Sequence, residues 1–115
     1  TVWRKEINER STAGSFIQCN TVLQNASADV FGANALGKLV MFRIDVLKFT
    51  QTPPATSTNV LPEAVRPKAK YFIPLWNSNT NAYDARCTIE TDGHVKFTNC
   101  TTTGQYYASM MYFAS

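Results

Sequence analysis

One histidine, three cysteines and five glycines are all that 115 residues offer to the chemistries that depend on them. A single His94 cannot build a histidine-rich metal centre, and Cys19, Cys87 and Cys100 form no Cys-x-x-Cys pair. An odd number of widely spaced thiols argues against a disulfide scaffold and against zinc. There is no G-x-S-x-G elbow, no H-E-x-x-H and no phosphate loop, so no catalytic triad, cofactor or metal is expected. No apolar run approaches the ~20 residues of a membrane helix. Charge is also scarce: charged residues make up 17%, and eleven Lys and Arg against eight Asp and Glu leave +3, too slight and too scattered for a nucleic-acid surface. Helical periodicity is nearly absent.

What is present is the composition of strands. Hydrophobic residues at 44% suffice for one domain over 1–115, with about two-thirds of the unfolded surface buried. Fourteen threonines accompany Val, Ile, Tyr and Phe. "SFIQCNTVLQN" reads as a strand with Ile17, Cys19, Thr21 and Leu23 on one face. "KLVMFRIDVLKFT" alternates Val40, Phe42, Ile44 and Val46 against Met41, Arg43, Asp45 and Leu47. On that second face Arg43 and Asp45 are two residues apart and can pair with each other or with a neighbouring subunit. "QTPPATSTNVLPEAVRP" holds four of the five prolines and predicts a long extended crossing. In "RPKAK", Arg66, Lys68 and Lys70 would share one outward face, as on a guarded edge. "KYFIPLW" is a strand whose Pro74 demands an edge or a bulge. In "QYYASMMYFAS" both faces are largely apolar, so that strand is central or buried against another subunit. The opening "TVWRKEINERS" suggests a domain cut from a larger protein, with 1–13 as a stalk or neck connection and "WRKEINERS" as a helical turn or stalk end. The fold expected is all-β: an antiparallel sandwich or jelly-roll-like barrel of about seven strands.

The stretch "ARCTIETDGHVKF" fixes a register. Gly93 tolerates a positive φ, which suits a three-residue loop closed by a bulge. Glu90 then faces His94, Ile89 faces Val95, Thr88 faces Lys96 and Cys87 faces Phe97, keeping one face apolar. A two-residue loop would set Ile89 against Lys96, mixing core and solvent. His94 projects beside Glu90, either as a solvated cross-strand pair or as a ligand contact.

Near the strand ends lie Trp76, Asn77, Asn79, Asn81, Tyr83, Asp84, Arg86, Glu90, Asp92 and His94. Aromatic faces stack on the C–H faces of sugars, and amides, carboxylates and Arg hydrogen-bond to hydroxyls, so these residue types suit a saccharide site. They are also ordinary loop residues. Two carboxylates for glycoside hydrolysis could come, for example, from Asp84 with Glu90 or Asp92, but any chain with eight acids offers such pairs.

The order "LPEAVRPKAKYFIPLW", polar loop, "ARCTIETDGHVKF" and Tyr-rich last strand resembles the C-terminal head domain of phage tail-fibre and baseplate receptor-binding proteins, notably of the lactococcal-phage type. The likeness covers roughly 60–115 and rests on Leu-Pro, Arg-Pro, an I-x-x-D-G-x-V hairpin and the closing strand. It implies a non-catalytic head, trimeric on a stalk, that attaches the virion to host cell-wall saccharides, often phosphate-bearing. It further implies a tail location after assembly in the host cytoplasm, where reduced thiols are at home, and contact with other tail or baseplate proteins through the N-terminal side. By residue type the saccharide contacts would be Trp76, Arg86, Asp92 and His94, with Tyr83 as a second stacking ring. The alternatives are a trimerisation or collar domain without a ligand, and a small polysaccharide-degrading module.

Overall fold

The computed structural model describes residues 16–115. The stalk or neck expected at 1–13, and the turn expected in "WRKEINERS", lie outside the described residues. Eight strands follow in order: β1 (Phe16–Gln18), β2 (Ala26–Ser27), β3 (Val30–Leu36), β4 (Leu39–Phe49), β5 (Tyr71–Asn77), β6 (Ala82–Ile89), β7 (Val95–Thr98) and β8 (Tyr106–Phe113). Among the described residues there is no α-helix, only the 3-10 turns Asn20–Val22 and Glu63–Val65. Seven strands form one antiparallel sheet in the order β1-β3-β4-β8-β5-β6-β7, and β2 pairs with the end of β4. The protein is all-β, as the strand pattern predicts, and its sheet curls into a half-barrel.

Aromatic contacts across the interior record the curl. Phe97 on β7, one edge of the sheet, packs against Phe31 on β3 (6.1 Å) and Phe49 on β4 (5.1 Å), three or more strands away along the sheet. Phe31 and Phe42 meet edge to face at 5.2 Å. Val40, Ile44, Leu47, Ile73, Leu75, Cys87 and Ile89 complete the inner face, fully buried. Each such aliphatic side chain contributes about 1.5–3 kcal/mol on burial.

Alternation puts Val40, Phe42 and Ile44 inward as expected, but the phase changes beyond them. Val46 adopts φ 52°, and the pairing with β8 shifts between Ile44 and Leu47. This bulge sends Leu47 and Phe49 into the core where continued alternation would have sent Val46. A β-branched residue at positive φ is strained. "SFIQCNTVLQN" also departs from expectation. Only Phe16–Gln18 is strand; Cys19 donates its N–H to Phe31 O (2.8 Å), and the chain then coils through the first 3-10 turn. Strand β3, "VFGANAL", carries no pattern that marks it, yet it is held by β1 on one side and by seven residue pairs to β4 on the other. Gly37 at φ 62° opens the two-residue β3–β4 turn.

The proline-rich crossing closes the open side of the half-barrel. Ser57 N–H donates to Val95 O (2.9 Å), Val95 N–H donates to Ser57 Oγ (2.9 Å), and Leu61 N–H donates to Gly93 O (2.9 Å). Farther on, Tyr112 OH donates to Val65 O (2.6 Å), and Lys68 N–H donates to Phe113 O (3.0 Å). The crossing therefore covers the outer edge of β7 and reaches the end of β8, with Leu61 and Val65 buried beneath it. Arg66 is drawn into this packing, its Nε donating to Leu61 O (2.9 Å), so only Lys68 and Lys70 remain as an exposed basic pair.

Strand β5 lies between β8 and β6, yet its ladder to β8 includes only Trp76 and Asn77. Pro74 is exposed where the ladder has parted, and its pairing to β6 shifts between Leu75 and Trp76. The proline's missing donor is thus accommodated by the splay, next to a bulge.

Candidate functional site

The β5–β6 bulge determines which side chains reach the outer surface. Leu75 pairs with Ala85 and Trp76 with Tyr83, leaving Asp84 as the extra residue. Ala85 faces the core while Tyr83 turns out beside Trp76, their rings edge to face at 5.0 Å. On the other side Trp76 pairs with Tyr107 of β8, whose neighbour Tyr106 is buried inside. Arg43 of β4 pairs with Ser109 of β8, and Arg43 Nη2 meets Asp45 Oδ2 at 2.5 Å. Trp76, Tyr83, Tyr107, Ser109, Arg43 and Asp45 together line an open groove of about 500 Å³. Tyr83 is 67% exposed, so much of its ring stays open to a ligand despite the contact with Trp76.

Of the five residues expected to form one saccharide site, the structure brings together Trp76 and Tyr83. Arg86 lies farther along β6, opposite Pro74, with its guanidinium 4.9 Å from the centre of the Phe72 ring. Asp92 and His94 sit in the β6–β7 turn, at the end of β6 remote from Tyr83. Ile89 lies six positions beyond Tyr83 along the strand, about 20 Å. The two turns flanking β6 cannot converge, because a strand runs between them.

The hairpin itself follows the expected register, with Ile89 opposite Val95, Thr88 opposite Lys96 and Cys87 opposite Phe97. Glu90 N–H donates to His94 O (2.9 Å), Gly93 N–H donates to Glu90 O (3.0 Å), and Gly93 takes φ 93°. The side chains pair differently from expectation. His94 Nδ1 approaches Asp92 Oδ1 at 2.9 Å, while Glu90 reaches Lys70 at 3.4 Å. The His94 backbone N–H on Asp92, reinforced by the imidazole, holds that carboxyl below its ordinary range.

The polar loop between Trp76 and Tyr83 is occupied with its own folding. Buried Asn77 donates from Nδ2 to Asp84 Oδ2 (3.3 Å) and accepts the Asn79 N–H on Oδ1 (3.0 Å). Thr80 Oγ1 donates to Asp84 Oδ2 (2.7 Å), and Asn79 Nδ2 donates to Thr103 O. Asn81 supplies the left-handed residue of the turn, φ 58°. Asp84 is therefore a turn-forming carboxylate, and Glu90 lies about 20 Å away along β6, too far to flank one glycosidic bond with it, which requires about 5–9.5 Å.

A second groove, about 750 Å³, opens where β5 and β8 part, lined by Leu39, Pro67, Tyr71, Met111 and Phe113 among others. Met111 and Phe113 are 61% and 67% exposed on the middle of the sheet. All three cysteines are free thiols. Burial pushes Cys19 up to about 11 and Cys100 to about 12, and raises Cys87 further. Among the described residues no cluster of His, Cys, Asp and Glu has the makings of a metal site.

Comparison with family models, with curated proteins and with solved structures returned no match. Tyr107, Ser109, Arg43 and Asp45 are the groove residues that the sequence did not assign to a site. Their only sequence signal was the mixed outer face of β4 and the two-sided aromatic pattern of β8.

Proposed function

We propose that this domain is the non-catalytic receptor-binding head of a phage tail-fibre or baseplate protein, attaching the virion to host cell-wall saccharide. The observation that supports this best is the aromatic row Tyr83–Trp76–Tyr107, with Tyr83 exposed and the other two rings half-buried, beside the Arg43–Asp45 pair. An aromatic face carries negative charge density that attracts the polarised C–H groups on one side of a pyranose ring, while a charged pair at the rim engages hydroxyls. Trp76 and Tyr83 keep the stacking role expected of them; Arg86, Asp92 and His94 would contact a ligand only at separate places.

The head is proposed to act as a homotrimer. Met111 and Phe113 lie on a central strand, where three chains around an axis would bury apolar surface that one chain leaves in water. The experiment is a pull-down of the purified domain on host cell walls, with its mass measured by light scattering and released reducing ends assayed. Retention on walls by a trimer without sugar release is expected. Absence of retention, a single-chain mass at micromolar concentration, or steady release of reducing ends would each overturn the corresponding part of the proposal.

A further inference from the structure

We infer that the groove selects an uncharged pyranose bearing two neighbouring hydroxyl groups, gripped by the Arg43–Asp45 pair, rather than a phosphate-bearing unit. This rests on the saccharide-binding reading above and specifies its ligand. The groove's charged lining consists of one cation and one anion in contact at 2.5 Å. Their fields largely cancel at the distance of a ligand, and a phosphate drawn to Arg43 would meet the Asp45 carboxylate beside it. Lys68 and Lys70, the exposed basic pair, are not among the residues lining this groove.

A paired donor and acceptor has a different complement. Arg43 carries five N–H donors and Asp45 two acceptor oxygens, so each retains hydrogen-bonding capacity after they bind each other. Adjacent hydroxyls on a sugar ring can accept from the guanidinium with one oxygen and donate to the carboxylate with the other. Ser109, paired with Arg43 across β4 and β8, adds a hydroxyl that can do either.

The geometry is held in advance of binding. Asp45 precedes the bulge residue Val46, and its carbonyl accepts the Asp29 N–H at 3.0 Å. Tyr83, Trp76 and Tyr107 come from three successive strands, and Asp45 from the next one. Four strands at about 4.8 Å spacing span about 14 Å, enough for a disaccharide with one ring on the aromatics and the next at the charged pair.

The test is a heteronuclear NMR titration of the intact chain with neutral methyl glycosides of glucose, galactose, mannose and N-acetylglucosamine, and with glucose 6-phosphate and glycerol phosphate as anionic probes. At least one neutral glycoside should shift the Trp76 indole and the Tyr107 and Ser109 amides, with affinity little changed by salt. Arg43→Ala and Asp45→Asn, both surface changes checked for folding by circular dichroism, should each weaken it by about tenfold, equivalent to about 1.4 kcal/mol. Trp76→Ala should weaken it at least as much. Tighter binding of the phosphorylated probes at this groove overturns the inference. So does the absence of shifts in the groove while the domain still binds host-wall polysaccharide, which would leave the saccharide-binding reading standing with its site elsewhere. Loss of wall binding by the unmodified domain would instead remove that reading itself.

Discussion

Gly93→Ala tests whether the proline-rich crossing is fastened to the β6–β7 hairpin in the way the structure requires. Gly93 has φ 93°, and a Cβ placed there would lie 2.9 Å from Arg66 Nε and 3.0 and 3.1 Å from Leu61 N and O. Holding an L-residue in left-handed backbone costs about 1–2 kcal/mol. Relieving the clash moves the crossing away, at the expense of the Leu61 N–H bond to Gly93 O and the Arg66 Nε bond to Leu61 O. Each is worth about 0.5–1.5 kcal/mol. The expected loss is therefore about 2–5 kcal/mol, a large part of the stability of a domain this size. Urea unfolding monitored by tryptophan fluorescence would show a lower midpoint with an unchanged slope. Gly93→Asn separates the two causes, since Asn tolerates the backbone but still carries a Cβ; it should recover part of the loss and not all. Exposed Thr91→Ala serves as the control and should change stability by less than about 0.5 kcal/mol. A loss below about 1 kcal/mol for Gly93→Ala would refute the proposed contact between crossing and hairpin.

Asn77→Ala should cost about 1–3 kcal/mol, because it removes from a buried position both the acceptor of the Asn79 N–H and one of the two donors to Asp84, which keeps Thr80; a neutral result in urea unfolding would show that the turn does not depend on this network. The buried thiols predict an alkaline weakness. Cys19, Cys87 and Cys100 stay protonated in the fold well above their ordinary value of 9.0, so the unfolded chain loses protons first as pH rises. The thiols' contribution to stability should be flat below about pH 9 and fall from there toward about 11–12, the drop shrinking in Cys19→Ala; an unfolding midpoint indifferent to pH above 9 would contradict the burial of these thiols.

Local periodicity carried the sequence reading as far as neighbouring strands and failed where a backbone irregularity changed its phase. The β6–β7 register was legible because Gly93 and the apolar alternation of Ile89, Val95, Cys87 and Phe97 agree on one loop length. The inward set Val40, Phe42 and Ile44 was legible for the same reason. Beyond Ile44 the pattern misled, since nothing about valine announces the positive φ of Val46 that moves Leu47 inside. Strand β3 was invisible because Gly32, Ala33, Asn34 and Ala35 have little strand preference; it exists through its neighbours β1 and β4. The groove was half legible. Trp76 and Tyr83 are close in sequence, whereas Tyr107 and Arg43 reach them only through the β5–β8 and β8–β4 pairings, long-range contacts that no local pattern encodes.

Residues with the chemistry to bind a sugar are also those that fold turns, and the two uses are told apart by where their hydrogen bonds go. Asn77, Asn79, Thr80 and Asp84 spend theirs on one another and on the 101–105 segment, so the loop that resembled a ligand kit serves to brace the end of β5 and β6. That bracing fixes the bulge at Asp84, and the bulge turns Tyr83 outward beside Trp76. Asp92 and His94 likewise satisfy each other. Arg43 and Asp45 also form a pair, but on an open face next to partly exposed rings, with donors and acceptors in excess of those the contact uses. A rigid strand face of this kind loses little conformational freedom on binding, unlike a loop that must first be ordered. The aromatic groove is therefore the better place to seek a ligand than either turn, although the turns hold more of the residue types that draw the eye in the sequence.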